Sequence, residues 1–185
     1  MTKRNIRAET LFVDLDDTLV ACDTLIESIL IFIKNNPIKT IYLFYWLLKG
    51  KAFFKDRIEK NVSLNGATLP YNNEVLDYVR AERSKGRKIV LATAANYRIA
   101  DSISKYLALF DDVIASDSKI NLKGENKLHA IRKYVGNEGF DYIGDSNADI
   151  PIFRVAHKAI IFNPSTSLTI KFRDEDNVLF LKKNE

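Results

Sequence analysis

Apolar runs rich in valine and isoleucine recur along this chain, separated by segments long enough for a helix. TLFVDL (10–15), RKIVLAT (87–93), DDVIAS (111–116), FDYIG (140–144), KAIIFN (158–163) and NVLFL (177–181) read as strands. The first five lack strict alternation of apolar and polar residues, as expected of strands covered on both faces. Between them, YNNEVLDYVRAERSKG places Val75, Leu76 and Val79 at helical spacing and stops at Gly86. Segments 96–108 and 125–135 also read as helices, the second with Leu128, Ile131 and Val135 on one stripe. Strand–helix alternation of this kind predicts an α/β fold with a doubly wound parallel sheet.

Residues 21–72 break the alternation. They hold no convincing strand and read as three helices, 23–35, 38–49 and 51–62, closed off by the turn-rich SLNGATLPYNN. The expected organisation is a core made of 1–20 and 73–185 with a small helical cap inserted at 21–72.

In folds of this class ligands bind beyond the carboxyl ends of the strands, so polar residues just after strands carry the most information. LFVDLDDTLV puts three aspartates within four residues at the end of a buried strand. Ionised carboxylates at that spacing repel one another, so the cluster is either a solvated turn or the holder of a cation. In extended chain Asp14 and Asp16 flank Leu15 and point the same way. Thr93 ends the next strand, Lys127 falls in the first turn of the helix opened by KGENK, and YIGDSNAD places Asp145 after a strand with Asp149 one helical turn on. Such positions can converge although distant in sequence. Lys119 and Lys123 compete with Lys127 for the same place, and Lys127 fits the helix start best.

Composition narrows the setting. The 185 residues are 46% apolar and 28% charged, and the +4 net charge arises from 28 basic and 24 acidic residues without a block of one sign. Nothing there points to nucleic acid. The lone Cys22 fits a reducing compartment, and two histidines, His129 and His157, without a cysteine cluster argue against a zinc site. The opening MTKRNIRAET lacks the apolar centre of a signal peptide. A cytoplasmic protein is expected.

The order DLDDT, Thr93, Lys127 and GDSNAD resembles the haloacid dehalogenase-like hydrolase superfamily, over about residues 10 to 165. The resemblance implies an aspartyl nucleophile at Asp14, with Asp16 as general acid and then general base. It implies that Mg²⁺ is held by Asp14, the backbone carbonyl of Asp16 and Asp145, with Asp149 nearby, and that Thr93 and Lys127 orient the phosphoryl group. Asp17 is expected to be a turn residue and Thr18 to shape the loop. An acid at Asp16 suits an alkoxide leaving group rather than a halide, which favours hydrolysis of a phosphate monoester. Transfer to an acceptor other than water, or a non-catalytic phosphate-binding module, are the alternatives.

The stretches LKGKAFFKDRIEKNV, LPYNNEVLDYVRAERSKGRKIVLATAANYRIADSI, LFDDVIASD, NLKGENK and YIGDSNADIPIF are similar, more narrowly, to the domain of this superfamily fused to UbiA-type membrane prenyltransferases. Residues 25–33 and 38–48 are each too short for a span of ~20 apolar residues, and Pro37 separates them. Yet IYLFYWLL is apolar on nearly every side and is followed by KGKAFFKDR. The substrate expected is a phosphorylated small molecule or a lipid-linked phosphate. Peripheral association with the inner face of a membrane, or with a membrane prenyltransferase, through the cap is the accompanying expectation.

Overall fold

The computed structural model describes residues 10–184; the opening segment read above for a signal peptide lies largely outside them. Six parallel strands form one sheet in the order β3-β2-β1-β4-β5-β6. They are β1 (Thr10–Val13), β2 (Ile89–Asn96), β3 (Asp112–Ser116), β4 (Phe140–Gly144), β5 (Lys158–Phe162) and β6 (Val178–Leu181).

Helices cover both faces, and the alternation of side chains along each strand decides which face each residue serves. Leu11, Val13, Ile89, Leu91, Ile143 and Ile160 pack with Val75 and Val79 of α4 (Asn73–Ser84) and with Ile99 and Ile103 of α5 (Tyr97–Leu107). Phe12, Val90, Phe140, Tyr142 and Ile161 face the other way. They pack with Ile131 of α6 (Glu125–Val135), Ile152 and Phe153 of α7 (Ile150–Phe153), and Leu168 and Phe172 of α8 (Thr166–Phe172). Burial on both sides is why these strands read as continuous apolar runs.

The insert holds α1 (Thr24–Asn35), α2 (Ile41–Leu48) and α3 (Lys51–Asn61). Asp23 caps α1, its carboxylate accepting from the N–H groups of Leu25 and Ile26 at 2.9 and 3.1 Å. The helix expected over 38–49 begins instead as a 3₁₀ turn at Pro37–Thr40. Proline fits the first turn because its missing N–H would have no intrahelical partner there.

Other elements also differ from the pattern. β1 stops at Val13 because the chain turns at once, and Asp17 sits at φ +56°, a left-handed conformation that suits a turn. β2 runs on to Asn96 through an irregularity between Thr93 and Asn96, and Asn96 then caps α5. The short helices α7 and α8 carry too few turns for a periodic signal.

Candidate functional site

The strand order reverses at β1, which has β2 on one side and β4 on the other. Loops leaving β1 and β4 diverge there, opening a crevice at the carboxyl ends. Asp14 leaves β1 and Asp145 leaves β4, and the Asp14 N–H bonds the Ile143 carbonyl at 2.9 Å. Sequence distance is thereby converted into contact.

Lys127 reaches the same point from α6. Its buried ammonium lies 2.8 Å from Asp14 Oδ2 and 3.0 Å from Asp149 Oδ1, and it donates to the Tyr142 hydroxyl at 2.8 Å. That hydroxyl in turn donates to Asp149 Oδ1 at 2.9 Å, and Ser146 donates to Asp149 Oδ2 at 3.1 Å. Of the three lysines weighed from sequence, Lys127 is the one touching Asp14. Lys123 borders the cleft from an exposed position, while Lys119 sits in the exposed turn that Asp117 caps.

Gly144 makes this packing possible. A Cβ there would lie 2.7 Å from Tyr142 Cε1 and 2.9 Å from Asp149 Oδ2. The backbone must pass between the two residues that hold Lys127, and only hydrogen fits.

Asp16 lies beside Asp14 in the cleft. Its Oδ1 accepts from the N–H and the hydroxyl of Thr24 at 2.8 and 2.6 Å, which fixes the carboxylate at the base of α1. Thr18 donates to Asp145 Oδ1 at 3.0 Å, so it shapes the loop and orients a carboxylate as well. Asn72 holds that loop from behind, its side-chain amide donating to the Thr18 carbonyl at 2.7 Å. Thr93 is fully buried, and its hydroxyl accepts from Ala95 N–H at 2.9 Å. Ala94 and Ala95, rather than Thr93, border the cleft.

The cleft encloses about 160 Å³, and the insert supplies one wall of it through Asp23, Leu25, Lys55 and Glu59. Lys55 crosses from α3 to the core, donating to the Ala94 carbonyl at 2.7 Å and to Asn121 Oδ1 at 3.2 Å. Glu59 is buried, and its Oε2 has no hydrogen-bond partner among the described residues.

Sequence reasoning missed Tyr142, Thr24, Asn72, Lys55 and Glu59. A tyrosine inside the apolar FDYIG run was the one legible signal, since a buried phenol needs a partner. His129 and His157 are exposed and do not border the cleft. Cys22 is half-buried, and burial together with Glu27 and Asp16 pushes its thiol up to about 11, so it stays protonated and unreactive.

Asp14, Asp145 and Asp149 each bring one carboxylate oxygen to within 4.8 Å of the others. Burial pushes Asp14 up to about 8; Lys127 opposes the rise and Asp149 adds to it. Asp145 is raised to about 6, again by burial first, against the Thr18 hydrogen bond. Burial acts to lower Lys127, but Asp14 and Asp149 outweigh it and keep the ammonium charged. One lysine therefore faces three carboxylates. An all-oxygen donor set with surplus negative charge fits a hard divalent cation, and the carboxylate of Asp16, committed to Thr24, is not part of that trio.

A family profile described as haloacid dehalogenase-like hydrolase matches residues 11–154. The chain belongs to this hydrolase family. The matched span contains Asp14, Asp16, Thr93, Lys127, Asp145 and Asp149. Over 164 residues the chain is 35% identical to the uncharacterized protein y4nM of Sinorhizobium fredii (strain NBRC 101917 / NGR234), covering 89% of this chain and 32% of that protein. The chain thus spans about a third of the length of this relative.

Among solved structures, a protein of unknown function from Bordetella pertussis Tohama I superposes with a TM-score of 0.68 at 15% identity, covering 96% of this chain and 99% of that one. A phosphoserine phosphatase in a phospho-aspartyl intermediate analogue gives 0.60 at 15% identity, covering 97% and 95%. A substrate-bound phosphoserine phosphatase gives 0.60 at 17%, covering 93% and 92%. At these identities the likeness is one of fold. Among the described residues, no helix of this family member is long and apolar enough to cross a membrane.

Proposed function

We propose that the chain is a Mg²⁺-dependent phosphatase that hydrolyses a phosphate monoester through an aspartyl-phosphate on Asp14. One observation carries the reading: Asp14, with Lys127 2.8 Å from its Oδ2, shares a cleft with Asp16, Asp145 and Asp149 at the point where the sheet order reverses.

Asp14 Oδ1 accepts from Leu15 N–H at 2.8 Å, which leaves Oδ2, beside Lys127, to attack phosphorus. The P–O bond to the leaving group breaks as the new bond forms, and Asp16 protonates the departing oxygen. Burial raises the pKa of Asp16 against the two bonds from Thr24, which suits a group that must hold a proton first. Asp16 then takes a proton from the water that attacks the phosphorus, releasing phosphate and restoring Asp14. Lys127 balances charge on the phosphoryl oxygens, and Thr93 shapes the turn whose neighbours Ala94 and Ala95 border the cleft. Asp14, the Asp16 carbonyl and Asp145 would hold Mg²⁺, with Asp149 positioning Lys127. When bound, the ion neutralises the carboxylates and lets a phosphate dianion approach them. The leaving group of a phosphorylated small molecule or lipid-linked phosphate would meet Lys55 and Glu59.

The testing experiment is hydrolysis of p-nitrophenyl phosphate and a panel of phosphate monoesters with Mg²⁺ and with chelator. Turnover should require Mg²⁺ and fall with Ca²⁺, whose larger, looser shell suits this trio less. Full activity after exhaustive chelation would exclude the metal.

Thermal melts provide a second readout with a definite sign. Asp14 and Asp145 have folded pKa values above the usual 3.8, so the native state binds more protons than the unfolded chain between about pH 4 and 8. On that account stability of the metal-free protein falls as pH rises through this window. Mg²⁺ binds the deprotonated carboxylates. Its stabilising shift in Tm should be larger at pH 8 than at pH 5, and a larger shift at pH 5 would contradict the assignment.

A further inference from the structure

α2 is eight residues long and has no buried residue. Among the described residues, ten of the fifteen exposed large hydrophobics fall between Ile26 and Leu48. Ile38 is 91% exposed, Ile41 75%, Phe44 68% and Leu48 71%. Ile26, Leu30 and Ile33 of α1 add an exposed stripe at helical spacing. So many exposed apolar side chains in one stretch of chain mark a contact surface.

The charges around it are mostly positive, with Glu27 the one acidic residue between Ile26 and Lys55. From Ser28 to Lys55 every charged residue is a lysine. Lys34, Lys39, Lys49 and Lys51 are exposed and bracket α2 at both ends, while Lys55 turns into the catalytic cleft. The Lys49 ammonium lies over the Tyr45 ring, 5.4 Å from its centroid.

We propose that this face of the insert docks on the surface of a membrane containing anionic lipid. Apolar and aromatic side chains enter the boundary between headgroups and acyl chains, and the lysines meet lipid phosphates and carboxylates. An eight-residue helix is ~12 Å long, against ~30 Å of hydrocarbon, so α2 lies along the interface rather than crossing it. A second copy of the chain fits less well. A two-fold contact would bring two lysine-ringed faces together, with Glu27 the one acidic residue between Ile26 and Lys55 to pair with them. The catalytic cleft faces other residues of the insert, so docking and turnover can be tested separately.

The lone Trp46 packs against Phe32 and Tyr42, with ring centroids 5.4 and 6.2 Å away, and so reports on this face. The test is sedimentation of the 185-residue chain with vesicles of phosphatidylcholine, with and without about 30% phosphatidylserine. The chain should sediment with the anionic vesicles, with a blue shift of Trp46 emission, and partition at least ~10-fold less onto neutral ones. Raising salt from about 50 mM to about 500 mM should lower the partition by a similar factor. A variant carrying Ile41→Ser, Phe44→Ser and Leu48→Ser, all at exposed positions, should keep its circular dichroism and lose vesicle binding. So should one carrying Lys39→Glu, Lys49→Glu and Lys51→Glu. A chain that stays in the supernatant at low salt, or binds neutral vesicles equally, overturns the proposal. A dimer in sedimentation velocity that the serine variant dissolves also overturns it, and assigns the face to a second copy.

Discussion

Asp14→Asn is expected to lower phosphatase turnover by roughly four orders of magnitude or more, the scale seen when a nucleophile is removed, while the protein stays folded. The amide cannot form the acyl-phosphate, and substrate binding through Lys127 remains. Fold retention follows from charge. Asp14 is buried and its carboxyl is raised to about 8, so ionising it at neutral pH costs stability that the neutral amide does not. Lys127 keeps Asp149 at 3.0 Å. The melting temperature at pH 8 should therefore match or exceed that of the native protein, and the fall in stability between pH 4 and 8 should be shallower. Steady-state rates and thermal melts on the same sample decide it. A variant turning over at close to the native rate excludes Asp14 as nucleophile.

Lys127→Met is expected to damage the protein more broadly. Among the described residues, the lysine is the one cation touching both Asp14 and Asp149, and it also anchors the Tyr142 hydroxyl. Removing one partner from a buried ion cluster costs about 3–5 kcal/mol, because the remaining charges are left without water or counterion. For a chain of this length that corresponds to a fall in Tm of about 6–20 °C. The loss should be greater at pH 8, where Asp14, raised to about 8, gives up its proton, and smaller near pH 5, where Asp14 is protonated. Mg²⁺ should restore part of the stability and none of the turnover. A melting temperature at pH 8 within about 2 °C of the native value, on the same scale, would show that the cluster does not depend on Lys127.

Much of the fold was legible because a two-sided parallel sheet leaves a local trace. β4 and α6 fall at the bounds that the apolar pattern predicts, and β1, β3, β5 and β6 differ by one or two residues. The α1 and α3 boundaries were nearly as plain, set by the cap at Asp23 and by Gly50. The turn after β1 was harder. Asp17 adopts a left-handed φ that no run of apolar residues signals. α7 and α8 were missed because four and seven residues do not complete a period.

At the candidate site, the residue types that follow each strand could be read from the chain alone: Asp14 and Asp16 after β1, Thr93 in β2, Lys127 opening α6, Asp145 and Asp149 after β4. These positions are local, so pattern and order suffice to find them. Tertiary structure decided what touches what. That Lys127 and not Lys119 or Lys123 meets Asp14 depends on where α6 lands against β4. That Asp149 shares its oxygens with Tyr142 and Lys127 depends on Gly144 leaving room between them. Lys55 and Glu59 enter the cleft only because α3 folds back over the end of β2. That α2 buries nothing is likewise a fact of packing, since an apolar run reads the same in a core as on a surface. The physical reason is one of range. Backbone preference and side-chain period act over a few residues, whereas ion pairs and burial couple groups brought together by the sheet.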